Sequence, residues 1–227
     1  MSQRNLNTIL PVPSPLERGW GEAVVTLSDV GKRFNREWIF RHCSYEFKTG
    51  KNYAITGPNG SGKSTLLQVI AGATLHNEGS IEYSIGQKKT EPEHHYSQIS
   101  IAAPYLELIE EMTAKEMLEF HSKFKPLIQS LSVEDMLKTV GLEKAINKQI
   151  RYYSSGMKQR LKLAQAFFSN TPILLLDEPT TNLDADGIAL YHNLISNYTK
   201  DKLVIVSSNV KQEYDFCEEV IEIGDYK

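Results

Sequence analysis

Residues 57–65 have the composition and spacing of a loop that binds nucleotide phosphates. They fill every fixed position of the pattern G-x-x-x-x-G-K-S/T, and in order they are Gly57, Pro58, Asn59, Gly60, Ser61, Gly62, Lys63, Ser64 and Thr65. Glycines let backbone N–H groups turn toward an anion, and a helix that begins near Lys63 adds the positive end of its dipole. Lys63 then reaches the outer phosphates, Ser64 binds Mg²⁺ and Thr65 donates to a phosphate oxygen. The loop therefore predicts a site for ATP with Mg²⁺.

The stretches on either side of this loop support the prediction. Residues 53–56 are a short β-prone run, and residues 66–71 favour a helix, which is the strand-to-helix context that the motif requires. The alternative is a glycine-rich loop that only reverses the chain. That alternative does not explain why Lys63 and Ser64 occupy the lysine and serine positions of the pattern.

A second pair of chemical groups, Asp177 and Glu178, follows the apolar residues 173–176. Such a run is typical of a parallel strand that is buried on both faces and whose carboxyl end opens onto a site. Asp177 would hold Mg²⁺ there, directly or through water, and Glu178 would polarise the water that attacks the γ-phosphate. The alternative is that the two acids begin a helix, because negative charge is favoured at a helix N-terminus.

The length, charge and cysteine content of the chain limit its class. Its 227 residues are enough for one elaborated domain with a sizeable core. The net charge is -3 and the basic residues are scattered, so we expect no nucleic-acid partner. Cys43 and Cys217 are too far apart in sequence, and too few, to indicate a disulfide framework or a zinc site, which favours a reducing, cytoplasmic location. No apolar run approaches the roughly 20 residues that cross a bilayer, so we expect any membrane role to come through a partner.

The first part of the chain divides into an irregular segment and a β-rich segment. Residues 1–23 are polar and contain several prolines and glycines, so we expect a flexible N-terminal extension. Residues 24–27 and 38–47 are β-prone, and we expect them to form a small antiparallel sheet beside the nucleotide core. In the second stretch, alternate positions predict one shared face for Ile39, Cys43, Tyr45 and Phe47.

Two aromatic residues, Phe34 and Trp38, lie near the predicted edge of this sheet. Either ring can stack on an adenine, and we favour Phe34 for that role. The alternative is that both rings belong to the hydrophobic core, as aromatic residues at strand ends often do.

Residues 104–170, approximately, are predicted to form a helical lobe inserted between two core strands. Thr113 and Glu116 have the spacing of a capping box, Ser132 begins a second helix, and Gly141 ends it. The core strands that frame and follow this lobe are predicted at residues 99–103, 173–177, 202–207 and 220–223.

Two further segments carry a resemblance to a known family. Residues 153–160, Tyr-Ser-Ser-Gly-Met-Lys-Gln-Arg, resemble the signature motif of ATP-binding cassette (ABC) proteins, and residues 181–184, Thr-Asn-Leu-Asp, resemble the D-loop of that family. With the phosphate loop and the strand that ends in Asp177 and Glu178, these segments span nearly the whole chain in the family's order. The chain is therefore similar to the nucleotide-binding subunits of bacterial, export-type ABC transporters.

The resemblance implies a fold of the α/β class. We expect a P-loop NTPase core with a mostly parallel sheet, an added antiparallel β subdomain and the inserted helical lobe. Residues 24–227 would form the ABC ATPase domain.

The resemblance also implies that two cassettes pair head to tail around ATP. Ser154 and the backbone at Gly156 of one cassette would approach the γ-phosphate that Lys63 of the other cassette holds. Asp184 would line the interface and connect the two nucleotide sites. Loss of phosphate after hydrolysis would separate the cassettes, and the family couples this movement to a membrane-spanning partner.

The sequence departs from the family pattern at three places. The signature has Ser155 and Met157 in place of a glycine and a glutamine. Ala103 and Pro104 stand where the family has a glutamine that contacts Mg²⁺ and the attacking water. Asn209 stands where it has a histidine, and asparagine can donate to phosphate but cannot carry a proton. We therefore expect ATP binding with slow hydrolysis.

The implied partners are a second cassette, identical or different, and a separate membrane-spanning subunit that would hold the protein at the inner face of the cell membrane. Residues 105–109 are our candidate surface for a cytoplasmic helix of that subunit, although half of them can simply pack on the helical lobe. An alternative function is a regulatory module in which ATP drives dimerisation with little turnover. A cassette that acts on nucleic acid is disfavoured because the chain has no basic stripe.

Overall fold

The computed structural model describes residues 20–86 and 88–227. Most of the predicted flexible extension, residues 1–23, lies outside the described residues. The strands are, in chain order, β1 Ala23–Phe34, β2 Glu37–Lys48, β3 Asn52–Thr56, β4 Glu78–Ile85, β5 Lys88–Lys89, β6 Ile99–Ala102, β7 Ile173–Asp177, β8 Leu203–Ser207 and β9 Glu219–Glu222.

Helices connect and cover these strands. The α-helices are α1 Lys63–Ile70, α2 His95–Gln98, α3 Ala114–Ser122, α4 Val133–Thr139, α5 Ser155–Phe168, α6 Ala185–Tyr198 and α7 Lys211–Tyr214. Short 3-10 helices occupy Pro92–His94, Glu143–Ala145, Ile150–Tyr152 and Ile223–Tyr226. Among the described residues, no helix combines the length and the apolar character that a membrane crossing requires.

The central sheet has five parallel strands in the order β6-β7-β8-β3-β9. Every residue of β7 and β8 is buried. Leu174 and Val204 pack with helices α3 to α6 on one face, whereas Ile173 and Leu203 pack with α1 and the antiparallel sheet on the other. Because both faces are covered, these strands are continuous apolar runs, and the predicted buried parallel strand is confirmed.

The second sheet is antiparallel, with strand order β2-β1-β4-β5. It covers α1, and the predicted α/β fold with a separate antiparallel sheet is confirmed. The single alternating face predicted for β2 is wrong at Ile39. Val30 pairs with Cys43 but Lys32 pairs with Phe40, so β2 carries one extra residue there. This bulge shifts the alternation, and the fully buried side chain is Phe40 while Ile39 is only partly buried.

Helices α3, α4 and part of α5 form the helical lobe against the first face of the central sheet. The predicted capping box is present, since Thr113 Oγ1 accepts from the Glu116 N–H while the Glu116 carboxylate accepts from the Thr113 N–H. Ser132 caps α4 as predicted, and Gly141 follows that helix with a φ of 71°. Local capping chemistry therefore sets where both helices begin.

Candidate functional site

The carboxyl ends of three neighbouring strands meet at one edge of the central sheet. β8 lies between β7 and β3, and its Ser207 is in register with Asp177 on one side and with Ile55 on the other. The phosphate loop, the two carboxylates of residues 177 and 178 and the loop with Asn209 therefore leave the sheet at the same place. Parallel sheets place ligand sites at this edge.

The phosphate loop needs its glycines for both conformation and space. Gly57, Gly60 and Gly62 have φ angles of 139°, 76° and 106°, a region that L-residues rarely adopt. A Cβ at Gly57 would lie 2.6 Å from Ile223 Cγ2, and one at Gly62 would lie 2.5 Å from the side chain of Ile39. The loop is thus packed against β2 and against the 3-10 helix Ile223–Tyr226, in a turn whose φ angles glycine adopts without strain.

Lys63 lies across the phosphate loop instead of pointing into solvent. Its side chain is buried, and its Nζ donates to the carbonyl oxygens of Gly57 at 2.8 Å and Pro58 at 3.1 Å. The α1 N-terminus has no side-chain cap, so its first N–H groups remain free to bind an anion. The ammonium and the helix end converge on one position, which suits a phosphate group. Ser61, two residues before Lys63, has a buried hydroxyl oxygen without a hydrogen-bond partner among the described residues.

Asp177 presents an unpaired carboxylate oxygen to the same position. The residue is 1% exposed, and its Oδ1 has no hydrogen-bond partner among the described residues. Burial raises the pKa of the Asp177 carboxyl, while the hydroxyls of Ser207 and Ser64 and the ammonium of Lys63 act in the opposite direction. An unsatisfied buried carboxylate beside a serine hydroxyl is an all-oxygen donor set, which is what Mg²⁺ prefers. The residues present therefore fit a magnesium ion held by Ser64 and Asp177.

Glu178 follows directly and differs from Asp177 in exposure and backbone. Its side chain is exposed, and its φ of 42° lies in the left-handed region. The strained backbone is held by two hydrogen bonds, from the Glu178 N–H to Ser207 O at 2.9 Å and from the Thr181 N–H to Glu178 O at 3.1 Å. The turn directs an accessible carboxylate away from the strand, where it can accept a proton from water.

The two aromatic candidates for adenine stacking lie in different surroundings. Trp38 lies between the guanidinium groups of Arg33 and Arg41, at 5.4 Å and 4.5 Å from the ring centre. Phe34 is 49% exposed, and Lys32 Nζ lies 4.6 Å from its ring centre. Arginines already occupy the Trp38 ring, so Phe34 is the ring with more surface for a ligand. Both belong to the hairpin of β1 and β2, which reaches the phosphate loop through the contact of Ile39 with residue 62.

Ser154 and Gly156 begin the long helix α5. Ser154 is its N-cap, with Oγ accepting from the Met157 N–H at 3.2 Å. A Cβ at Gly156 would lie 3.0 Å from Asn182 O, so a side chain there would press on the loop at residue 182. A pocket of about 350 Å³ lies between this helix start and residues 182–184. No residue of the phosphate loop lines it, so the signature residues and the phosphate loop are not brought together within one chain.

Asp184 borders the same pocket and caps α6. Its Oδ1 accepts from the Gly187 N–H at 2.9 Å and from Arg160 at 3.1 Å. Both contacts lower the pKa of the Asp184 carboxyl, and the hydrogen bond from the Gly187 N–H has a larger effect than the one from Arg160. Asp184 is therefore a stable anion at the mouth of the pocket.

Asn209 contacts the phosphate loop directly. Its Nδ2 donates to Asn59 Oδ1 at 2.8 Å. Ala103 is buried and Pro104 is exposed, and their carbonyl oxygens accept from Lys162 Nζ at 3.3 Å and 2.7 Å. Neither side chain can bind a metal or water, so the substitutions at these positions leave the site without a glutamine amide.

Three residues make contacts at this site that the sequence did not predict. Burial raises the pKa of Tyr105 to about 12, and the negative charge of Asp177 acts in the same direction, so Tyr105 lies close enough to Asp177 for the two groups to interact. The buried Gln159 donates to Pro179 O at 2.8 Å, and Glu213 accepts hydrogen bonds from the loops after β7 and β8. Gln159 lies within the signature motif at residues 153–160, but its bond to Pro179 depends on tertiary structure, and Glu213 belongs to no motif.

Known proteins share this arrangement and much of this sequence. The sequence model of the family described as ABC transporter matches residues 40–181. The uncharacterized ABC transporter ATP-binding protein YybJ of Bacillus subtilis is 30% identical over 203 residues, which is 88% of this chain and 93% of that protein. The cytochrome c biogenesis ATP-binding export protein CcmA of Rhizobium etli is 31% identical over 190 residues, covering 82% of this chain and 87% of the relative.

A solved structure supports the same assignment. A dimeric ATP-binding cassette in a post-hydrolysis state, bound to ADP and Pi, superposes with a TM-score of 0.74 at 28% identity. The superposition covers 87% of this chain and 93% of that one. Since the matched regions contain the phosphate loop, the signature helix and the acidic strand end, the chain belongs to the ABC transporter family as a nucleotide-binding subunit.

Proposed function

We propose that this chain binds Mg-ATP at residues 57–65, dimerises with a second cassette around the nucleotide, and hydrolyses ATP slowly to power transport through a separate membrane-spanning subunit. One observation carries the proposal. The unpaired, buried oxygen of Asp177 lies beside Ser64 at the end of the lysine cradle, which is a donor set for Mg²⁺ bound to phosphates.

Each residue of the site has a chemical part in this proposal. Lys63 and the backbone of the phosphate loop neutralise the phosphate charge, with Thr65 as a further donor. Ser64 and Asp177 hold the metal ion, which would supply charge neutralisation on the phosphates. Glu178 polarises the attacking water, and Phe34 stacks on the adenine.

The second cassette supplies the remaining groups. The N-terminus of α5, with Ser154 and Gly156, is a positive helix end that faces a pocket and lies apart from the phosphate loop of its own chain. A second chain placed head to tail brings its phosphates to this helix end. Asp184, at the mouth of the pocket, then lies at the interface. The dimeric cassette with which this chain superposes supports such an arrangement.

Slow turnover follows from the groups that are missing around the nucleotide. Asn209 reaches the phosphate loop through Asn59 and can donate one hydrogen bond to phosphate, but it has no proton to exchange near neutral pH. The carbonyl groups of Ala103 and Pro104 are held by Lys162. Water activation therefore depends on Glu178 without the usual glutamine and histidine.

The experiment compares nucleotide binding and hydrolysis in matched variants. Lys63→Ala removes the cradle ammonium and should weaken binding of a fluorescent ATP analogue by about tenfold or more. Glu178→Gln should retain binding and lose hydrolysis, while the control Glu143→Gln, an exposed acid of the helical lobe, should match the parent. Hydrolysis by Glu178→Gln at the parental rate would remove Glu178 from the mechanism.

A groove beside residues 105–109 is the proposed docking surface for the membrane subunit. A cavity of about 210 Å³ lies between α3, α5 and residues 106–108. Lys125 and Lys162 line it and donate to backbone carbonyls, and neither forms an ion pair with any described residue. With Leu106 and Met117 in the same lining, the groove suits a partner helix that combines apolar side chains with a carboxylate.

Recruitment to membranes tests this surface. Leu106→Asp should abolish co-sedimentation of the chain with membranes of the source organism, because it places an unpaired charge in the apolar part of the groove. Binding of ATP should be unchanged. Leu75→Asp changes an exposed leucine outside the groove and should be recruited normally. Recruitment of Leu106→Asp at the parental level would show that the partner binds elsewhere.

The second candidate function is an ATP-dependent dimerisation or regulatory module with little turnover. The asparagine at position 209 favours it, because this residue cannot serve as a proton-linked switch. Comparison of the ATPase rate of the purified chain with the rate in membranes separates the two functions. A rate that stays near zero in membranes, while ATP still drives dimerisation, would favour the regulatory module.

A further inference from the structure

We propose that Glu213 is a positioning residue that joins the loop after Glu178 to the loop that carries Asn209. The proposal rests on the function proposed above, because it concerns how that nucleotide site is held in shape. Glu213 does not reach the phosphate loop, and its expected influence acts through the two loops.

The carboxylate of Glu213 is buried between these loops. The residue is 2% exposed and lies in the short helix α7. Its Oε1 accepts from the Thr180 N–H at 2.8 Å and from the Thr180 hydroxyl, and its Oε2 accepts from the Ser208 hydroxyl. Each oxygen thus holds a different loop.

Both loops are also anchored on their far sides. The Ser208 N–H donates to Ile55 O at 3.1 Å, and Ser208 Oγ accepts from the Val210 N–H at 2.9 Å. On the other loop, Gln159 Nε2 donates to Pro179 O at 2.8 Å. Glu213 therefore links two loops by hydrogen bonds. The loop after β8 is fixed to β3, and the loop after β7 is fixed to α5.

Among the described residues, no ion pair includes Glu213. A buried carboxylate without a counter-ion is held by hydrogen-bond donors alone. Because an ionised carboxylate only accepts, both hydroxyls must donate to it, which leaves one orientation for each of them. A surface glutamate or a glutamate kept for packing would not require three converging donors.

The contacts form a continuous path across the site. Asn59 of the phosphate loop contacts Asn209, the adjacent Ser208 contacts Glu213, and Glu213 contacts Thr180. Thr180 lies between Glu178 and the residues that border the signature pocket. We infer that Glu213 sets the position of Glu178 relative to Asn209 and transmits nucleotide contacts at the phosphate loop to the dimer surface.

The test uses the isosteric variant Glu213→Gln in the full chain. Its amide oxygen can still accept from Thr180, but its NH₂ group replaces an acceptor with a donor opposite Ser208. The expected result is a fall of about tenfold in kcat, with KM and the affinity for a fluorescent ATP analogue within about twofold of the parent. A general loss of folding would instead lower binding and the melting temperature together.

A second measurement does not depend on hydrolysis. In the Glu178→Gln background, adding Glu213→Gln should weaken ATP-driven dimerisation by about tenfold in sedimentation experiments while monomers still bind ATP. The control is Asp215→Asn, because Asp215 is an exposed acid two residues after Glu213. This variant should leave dimerisation unchanged.

The outcomes separate this proposal from the function on which it rests. A parent chain that fails to bind the ATP analogue contradicts the proposed function itself. A parent that binds ATP and dimerises, with Glu213→Gln equal to Asp215→Asn in kcat and in dimerisation, overturns only the role of Glu213.

Discussion

Glu178 combines an accessible carboxylate with a backbone conformation that its side chain disfavours. A non-glycine residue in the left-handed region costs on the order of 1–3 kcal/mol, and surrounding contacts must maintain it. Here the contacts are hydrogen bonds to Ser207 and Thr181. The strain turns the carboxylate out of the strand, while Asp177 remains inside, so adjacent acids obtain different surroundings and different chemistry.

Replacement of Glu178 by glycine should therefore stabilise the protein. Glu178→Gly relieves the backbone strain, whereas Glu178→Ala removes the carboxylate but keeps a Cβ. We expect the free energy of unfolding of the glycine variant to exceed that of the alanine variant by about 1 kcal/mol, with both inactive in hydrolysis. Urea denaturation measures the difference. An alanine variant at least as stable as the glycine variant would mean that the φ of residue 178 stores no strain.

Asp177 should make stability depend on pH and on Mg²⁺. Burial raises the pKa of its carboxyl above the value in the unfolded chain, so the ionised form destabilises the fold above the folded-state pKa. That penalty is relieved as the pH falls through the raised pKa. In buffer without Mg²⁺, Asp177→Asn should melt at a higher temperature than the parent at neutral pH, and the difference should shrink toward acidic pH.

The same variant separates structural strain from metal binding. Mg-ATP should raise the melting temperature of the parent, and Asp177→Asn should lose most of this increment. Thermal scans with ATP plus EDTA are the control for nucleotide binding alone. An Asp177→Asn protein that keeps the full Mg²⁺-dependent increment would place the metal elsewhere.

At the scale of elements, α5 connects the parts of the site that lie apart in sequence. Its N-cap Ser154 begins the signature, Gln159 binds the loop after β7, and Lys162 binds the carbonyls of the segment after β6. A shift of this one helix would therefore move the signature and both of these loops together. The helix is 14 residues long and packs in the core along most of its length, so it transmits displacement as a rigid body.

Two N-cap substitutions distinguish the structural role of Ser154 from its proposed role in dimerisation. Ser154→Ala and Ser132→Ala each remove an N-cap hydrogen bond, at α5 and at α4, and each should cost about 1 kcal/mol of stability. Only Ser154→Ala should also weaken ATP-driven dimerisation, because Ser132 lies in the helical lobe away from the signature pocket. Equal dimerisation of the two variants would remove Ser154 from the interface.

Elements that local interactions determine could be predicted from the sequence, whereas elements that tertiary contacts determine could not. The run at residues 173–176 and the capping residues Thr113 and Ser132 are local signals, and the strand and both helices they predict are present. The bulge in β2 is not a local signal. It depends on pairing with β1, which no periodicity within residues 38–47 reveals.

The site shows the same division. The phosphate loop and the acidic strand end are contiguous motifs, so their residues were identified from spacing alone. Glu213 and Gln159 make contacts with segments 33 and 20 residues away, and Tyr105 comes near Asp177 because it follows β6, which pairs with β7. Long-range contacts of single polar residues leave no periodic pattern, which is why sequence reasoning missed them.

For the whole molecule, the fold keeps the phosphate loop and the start of α5 apart within one chain. Its phosphate loop lies at the edge of the central sheet, and the start of α5 borders a separate pocket. In the proposed head-to-tail pair of cassettes, the helix start of one chain would meet the phosphate loop of the other. ATP would then be part of the interface, and assembly would depend on the state of the nucleotide.

The mass of the Glu178→Gln chain in solution, measured by light scattering with and without Mg-ATP, tests this claim most directly. We expect a monomer without nucleotide, a dimer with Mg-ATP, and a monomer again when Ser154→Ala or Lys63→Ala is added to the same chain. A mass that does not change with Mg-ATP, or a dimer that survives both substitutions, would contradict it.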